Sequence, residues 1–302
     1  MKILSLFDGI ACGKVALERA GLQIDEYHAC EIDRYAIKVS KQNHPDIIHH
    51  GDVTKYQVNT AFDLLIGGSP CQGFSFAGKQ LAFDDPRSKL FFEYVRILKK
   101  CREYNPKIKF LLENVRMKKE YLDIISEQLG VEPVRIDSAL VSAQSRVRYY
   151  WCNWKVTQPE DKGILLKDVV HKENIDLEKY KVPIKKNLIL LDTAEKRRKI
   201  GYFGVDSQAN RVYSIHNKAV TLCGEAGGGA AKMGQYLFGC VTQDRHGMRI
   251  DGYIRKPTPR ECERLQTLFD NYTSGISEPQ RYKCLGKCWT VDVIVHLVKE
   301  IK

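Results

Sequence analysis

The chain has 302 residues, 43% of them apolar, and 48 Lys and Arg against 37 Asp and Glu give it a formal net charge of +11. That length gives one large domain or two smaller ones, and the composition excludes a disordered, collagen-like or coiled-coil protein. No apolar run approaches the roughly 20 residues of a membrane span, and an N-terminus that meets Asp8-Gly9 at once does not read as a signal peptide.

The first half alternates between two hydrophobic periods. Residues 2–7 form a short apolar run, and residues 13–20 have a helical pattern that stops at Gly21. Residues 27–31 read as a strand and 34–42 as a helix ended by Asn43-His44-Pro45. Residues 47–50 and 62–66 are further strands. Residues 88–100 form an amphipathic helix with Leu90, Phe91, Tyr94, Val95 and Leu98 on one face and Ser88 as its cap. A strand over 109–113, a helix over 119–129 and strands over 134–140 and 147–153 complete the series. Strands alternating with helices predict a mostly parallel sheet covered on both faces. Ligands in such sheets bind beyond the carboxyl ends of the strands.

The pattern changes after about residue 155. Residues 155–187 are polar and lysine-rich, 193–199 suggest a short helix, and 202–254 read as short β pieces separated by glycines. Residues 259–268 look helical, and residues 289–301 form a terminal helix apolar enough to pack on the sheet. The halves also differ in charge, +3 over residues 1–150 and +8 over residues 151–302. A basic half suits a polyanion or is simply a solvated lysine-rich surface.

The ten cysteines include no Cys-x-x-Cys pair, so no zinc site is read, and reduced thiols in a cytoplasmic protein are expected.

Four strand ends carry polar groups that a core does not require. After the first strand stands Phe7-Asp8-Gly9-Ile10-Ala11-Cys12-Gly13, where glycines between strand and helix let a ligand approach the backbone. Glu31 ends the second strand and can accept both hydroxyls of a ribose. Gly51-Asp52-Val53 ends the third and offers an acceptor for an exocyclic amine. Together they suit an adenosine, and the glycine spacing differs from the Gly-x-Gly-x-x-Gly that holds a pyrophosphate.

The second site is Gly67-Gly68-Ser69-Pro70-Cys71-Gln72-Gly73-Phe74-Ser75, a tight turn with a thiol at its tip, placed as a nucleophile would be. The third is Glu113-Asn114-Val115, where a carboxylate at the end of a buried strand favours protonation and serves as a general acid, a hydrogen-bond clamp or only a helix cap. The fourth is Gln144-Ser145-Arg146-Val147-Arg148. On a strand, Arg146 and Arg148 share a face that fits a carboxylate, a phosphate or a base carbonyl, or forms a surface ladder of arginines.

Pro-Cys-Gln, then Glu-Asn-Val 42 residues later, then Gln-x-Arg-x-Arg resembles, as an ordered set, the DNA (cytosine-5) methyltransferases of the compact bacterial and phage type. The resemblance covers most of residues 2–154 and 251–302, including Arg255-Lys256-Pro257-Thr258-Pro259-Arg260-Glu261-Cys262-Glu263-Arg264-Leu265-Gln266. It implies an α/β fold, a Rossmann-like S-adenosylmethionine-dependent methyltransferase domain over 1–165 completed by 280–302, with a smaller, mostly β and loop target-recognition domain over 166–279. It implies methyl transfer to carbon-5 of a flipped-out cytosine in double-stranded DNA through a covalent Cys71 adduct.

Within that resemblance Cys71 is the nucleophile, Glu113 contacts the target cytosine at N3 and its amino group, and Arg146 and Arg148 hold the base and the active-site carboxylate. S-adenosylmethionine is lined by Phe7, Asp8, Gly9, Gly13, Glu31, Ile32, Asp52, Val53, Cys288 and Trp289. Gln72, Ser75, Arg87 and Asn114 reach DNA. The closing Gly286-Lys287-Cys288-Trp289 departs from the family's usual Gly-Asn-Ser, and Gln266-Thr267-Leu268-Phe269-Asp270 departs from Gln-Gly-Phe-Pro-Asp. A monomer in a bacterial or phage-infected cytoplasm is expected, alone or beside a cognate restriction endonuclease. An RNA cytosine-5 methyltransferase and a catalytically silent DNA-binding regulator are the competing readings. A dinucleotide oxidoreductase is disfavoured by the glycine spacing.

Overall fold

The computed structural model describes residues 1–70, 90–171, 176–184, 187–191, 199–207, 210–224, 234–245 and 247–301. The described chain clusters into two compact units. The first comprises Met1–Asp137, Val147–Pro159 and Val291–Lys302, and the second Ser138–Arg146 and Glu160–Thr290. The chain thus re-enters the first unit at Val291, after the helix of residues 278–287.

In the first unit, β1 (Lys2–Leu6), α1 (Cys12–Arg19), β2 (Glu26–Cys30), α2 (Arg34–Asn43), β3 (Ile48–His49), β4 (Leu64–Gly68), α3 (Leu90–Tyr104), β5 (Lys109–Val115), α4 (Lys119–Leu129), β6 (Val134–Asp137) and β7 (Val147–Cys152) follow in order. They build a seven-stranded sheet ordered β3-β2-β1-β4-β5-β7-β6. The strands from β3 to β5 are mutually parallel, and β7 runs antiparallel to both β5 and β6. β1, β2, β4 and β5 are nearly continuous buried runs because helices cover both faces.

Local chemistry sets the helix ends. Asp33 caps α2 by accepting from the Tyr35 N–H at 3.0 Å, and Gly130, at φ 74°, closes α4 in the left-handed region that glycine tolerates. On α3, Phe91, Tyr94, Val95, Leu98 and Cys101 are buried at helical spacing, and the Tyr94 hydroxyl donates to the Leu111 carbonyl at 3.0 Å. The predicted cap Ser88 lies outside the described residues. β6 ends earlier than the sequence suggests. The chain turns into a short 3-10 helix at Ser138, whose N–H bonds back to the Arg146 carbonyl at 3.1 Å.

The second unit contains α5 (Leu166–Val169), α6 (Leu177–Tyr180), β8 (Lys181–Val182), β9 (Leu188–Leu190), β10 (Lys199–Phe203), β11 (Arg211–Ser214), β12 (Gln235–Asp244), β13 (Gly247–Arg255), α7 (Pro259–Leu265) and α8 (Glu278–Lys287). Its six strands are ordered β8-β13-β12-β11-β10-β9. Residues 193–198 of the expected helix lie outside the described residues, and Lys199 opens β10 instead. The β pieces include one long hairpin, β12–β13, rather than short strands alone. α7 starts on a capping box of Thr258 and Glu261 with Pro259 in its first turn.

The terminal helix α9 (Val291–Val298) returns to the first unit. It buries Val291, Val293, Ile294, Val295, Leu297 and Val298, and its Asp292 accepts from Arg19 of α1 at 2.5 Å. Among the described residues, no helix is long and apolar enough to cross a membrane.

Candidate active site

Because β1 to β5 run parallel, the loops that follow them share one edge of the first unit. β7 is antiparallel, so its first residues return to that same edge, with Arg148 in register with Val115.

The loop after β1 is held in an uncommon conformation. Phe7, Gly9 and Ala11 have φ of 59°, 62° and 63°, which costs of order 1–3 kcal/mol for each residue that carries a side chain. Backbone and buried side-chain bonds offset it. The Asp8 N–H donates to the Cys30 carbonyl at 3.1 Å, and the Gly9 N–H to Glu31 Oε2 at 2.8 Å. At Gly9 an added Cβ meets nothing within 4 Å, so its φ, not crowding, calls for glycine there. Gly13 is buried in the first turn of α1.

Asp8, expected to line the cofactor, turns inward instead. It is 9% exposed, and the Tyr27 hydroxyl donates to its Oδ1 at 2.7 Å. Burial pushes its pKa to about 6, with the Ser5 and Tyr27 hydroxyls pulling the other way. Asp8 therefore supports the loop from beneath.

Glu31 is fixed by three backbone donors: Gly9 on Oε2, and Ile32 and Asp33 on Oε1, each at 2.8 Å. A carboxylate has about four acceptor positions. One is left, on Oε2, so Glu31 offers a place for one ribose hydroxyl rather than two. Beside it Ile32 is 74% exposed, an unusual position for a large aliphatic side chain, while Phe7 is half-buried against the core. Asp52 accepts from the Thr54 N–H at 2.9 Å and the Thr54 hydroxyl at 2.8 Å, both on Oδ1, and these bonds hold it below the usual carboxylate range. Val53 packs in the core.

At the end of β4, Gly67 lies so close to its neighbours that a Cβ would sit 3.0 Å from the Leu6 carbonyl and 3.1 Å from the Tyr94 ring. Ser69 follows, 4% exposed, and its hydroxyl accepts from the Asn114 amide at 3.1 Å. Asn114 is 1% exposed, and its Oδ1 accepts from the Val115 N–H. It is therefore not a DNA-facing residue as expected, but ties β5 to the turn that leads into Cys71. Cys71, Gln72, Ser75 and Arg87 lie outside the described residues.

Glu113 is buried at the end of β5, and Arg148 Nε lies 2.9 Å from its Oε1. The carboxylate expected to be desolvated thus has a guanidinium partner. Arg146 does not share this face. β7 starts one residue later, and Arg146, 4% exposed, donates to the carbonyls of Leu222, Gly286 and Cys288 at 2.8, 3.2 and 3.1 Å. Cys288 and Trp289 belong to the second unit, where Cys288 Sγ lies 3.4 Å from the Leu285 carbonyl.

Burial pushes the thiols of Cys30, Cys101 and Cys152 up to about 12, so they carry almost no thiolate at neutral pH. Tyr27 and Ser69 are support residues that the sequence does not single out. Tyr27 reads as one more apolar residue of a buried strand, and Ser69 reads as one more small residue of the turn that carries the cysteine.

The seven-stranded sheet with this polar edge is a Rossmann-like α/β fold whose ligands bind beyond the carboxyl ends of its strands. A family model, C-5 cytosine-specific DNA methylase, matches residues 1–302. The type II methyltransferase M.HhaI of Haemophilus parahaemolyticus is 28% identical over 100% of this chain and 94% of its own length. The orphan methyltransferase M.SPRI of Bacillus phage SPR is 37% identical over 50% of this chain and 37% of its own length. The solved Entamoeba histolytica methyltransferase EhMeth shares the fold, with a TM-score of 0.71 at 16% identity over 99% of this chain and 97% of its own. The chain belongs to the C-5 cytosine-specific DNA methylase family and is a DNA (cytosine-5-)-methyltransferase.

Proposed function

We propose that the enzyme uses S-adenosylmethionine to methylate a cytosine flipped out of double-stranded DNA, through a covalent bond to Cys71. The observation that carries this reading is the buried Glu113–Arg148 pair at 2.9 Å on the carboxyl edge, one strand away from the strand that leads into Cys71.

The edge fits an adenosine. It offers the open backbone at Gly9, one acceptor position on Glu31, the exposed Ile32 beside the half-buried Phe7, and Asp52 for an exocyclic amine. When bound, S-adenosylmethionine supplies an electrophilic sulfonium methyl group. Carbon-5 of cytosine is a weak nucleophile. Addition of the Cys71 thiolate to carbon-6 moves the ring's double-bond electrons toward N3 and makes carbon-5 enamine-like. Glu113, positioned by Arg148, carries the proton that is donated to N3 as negative charge develops there, accepts from the exocyclic amine through its other oxygen, and takes the N3 proton back when Cys71 is expelled. Once carbon-5 carries the methyl group, loss of its proton to a solvent base restores the double bond and expels Cys71 as thiolate. The base is unreachable within a stacked duplex, so it leaves the helix at a cost of a few kcal/mol.

A duplex carrying 5-fluorocytosine at the target has no proton to lose and traps the adduct. Incubated with S-adenosylmethionine, the wild-type chain is expected to form a complex stable to denaturing gels that maps to Cys71, and Cys71→Ser none. Trapping on a transfer RNA but not on duplex DNA would favour the RNA reading, and no adduct on either would overturn the mechanism.

A further inference from the structure

Arg146 and Gln144 belong to one buried polar ring in the second unit. Gln144 is 0% exposed. Its Oε1 accepts from the Leu222 N–H at 2.7 Å, and its amide donates to the Leu265 carbonyl and to Gln266 Oε1, each at 3.2 Å. Gln266, also 0% exposed, passes the connection on. Its amide donates to the Leu285 carbonyl at 2.7 Å, and its Oε1 accepts from the Thr290 hydroxyl at 2.9 Å. Arg146 closes the ring from the other side by holding the carbonyls of Leu222, Gly286 and Cys288. Between these anchors Gly286 lies directly on the neighbouring backbone. A Cβ there would be 2.4 Å from the Cys223 carbonyl carbon and from the Gly224 nitrogen.

We propose that Gln144 and Arg146 are positioning residues that lock the closing segment, residues 285–290, against residues 222–224, so that the Gln-x-Arg-x-Arg motif divides its labour. Arg148 serves the carboxylate at the reacting base, while Gln144 and Arg146 set the backbone of the segment assigned to the cofactor. This rests on the proposed use of S-adenosylmethionine and on the family resemblance that sets Cys288 and Trp289 beside it.

The chemistry of the donors supports the division. A buried guanidinium must satisfy its donors, and three carbonyls converging on it are charge-assisted acceptors of fixed direction. They engage three of its five N–H donors, so the guanidinium is directed at backbone in this ring. A lysine, with one compact ammonium, cannot span Leu222, Gly286 and Cys288 together.

The test uses Arg146→Lys, Gln144→Glu and Arg148→Lys in the full chain. Hydrogen exchange without cofactor reads the lock itself. Amides of residues 284–290 are expected to exchange at least tenfold faster in Arg146→Lys and Gln144→Glu but not in Arg148→Lys, a tenfold change being about 1.4 kcal/mol. In turnover on duplex DNA, the first two variants are expected to raise KM for S-adenosylmethionine roughly tenfold and lower kcat by less than about threefold, whereas Arg148→Lys lowers kcat by about a hundredfold. Unchanged exchange in both Arg146→Lys and Gln144→Glu would overturn the lock. Faster exchange together with an Arg148-like loss of kcat at unchanged KM would place Arg146 at the base and overturn the division. Faster exchange in both variants, with a wild-type chain that forms no 5-fluorocytosine adduct, would leave the lock standing and sink only the proposed mechanism.

Discussion

Asp8 shows at the scale of one residue how the loop after β1 is maintained at a cost. Its pKa rises from 3.8 to about 6 because it is buried, and the Tyr27 hydroxyl on Oδ1 only partly compensates. Between about pH 4 and 6 the native chain keeps a proton that the unfolded chain has lost. Its contribution to stability therefore falls as pH rises through that window and is constant above it. At roughly 1.4 kcal/mol per pKa unit the full cost is about 3 kcal/mol. Asp8→Asn keeps the shape and an acceptor for Tyr27 without the charge. It should be more stable than wild type by about 2–3 kcal/mol at pH 7.5 and by well under half of that near pH 4.5, measured by urea denaturation. An Asp8→Asn variant no more stable at pH 7.5 would mean that the ionised carboxylate is not costly there. Glu113→Gln is the opposite case. It leaves the Arg148 guanidinium without its carboxylate and removes the carboxyl that would donate a proton to N3, so kcat should fall by about a hundredfold or more at saturating substrates, read as labelled methyl transferred to duplex DNA.

Among the elements, β4 has the least tolerance, because it delivers the turn before Cys71 and touches α3 through Gly67. A methyl group at Gly67 would press on the buried Tyr94 ring at 3.1 Å and the Leu6 carbonyl at 3.0 Å. Gly67→Ala should cost about 1–3 kcal/mol by overpacking and lower the thermal midpoint, whereas Gly130→Asn, which keeps a residue able to adopt the left-handed cap, should cost much less. The same elements show what a sequence reveals. α4 is bounded as its periodicity predicts, since its buried Tyr121, Ile125 and Leu129 repeat every four residues. α8 escapes notice because only Cys284, Leu285 and Gly286 of its residues are buried, which leaves no apolar stripe to read. The edge loops are legible because parallel strands must end together. The role of Arg146 is not, because its acceptors stand 76, 140 and 142 residues away and are backbone carbonyls, which no residue type announces.

For the whole molecule, the net charge of +11 is the property most directly tied to its substrate. Residues 151–302 hold +8 of it, and their lysines are dispersed rather than gathered into a tail. A dispersed excess suits many separate phosphate contacts more than one tight anion site. Each neutralised phosphate releases condensed counterion, so the logarithm of affinity falls with the logarithm of salt at a slope near −0.9 per contact. With about five contacts, affinity for duplex DNA should drop by roughly two to three orders of magnitude between 50 and 200 mM salt. Fluorescence anisotropy on a duplex of constant length gives that slope directly. Replacing a lysine that contacts a phosphate should lower the slope by about one and weaken all sequences alike, because phosphates carry no sequence information. A slope near zero in the wild-type chain would mean that the basic half is only a solvated surface and that the DNA is gripped elsewhere.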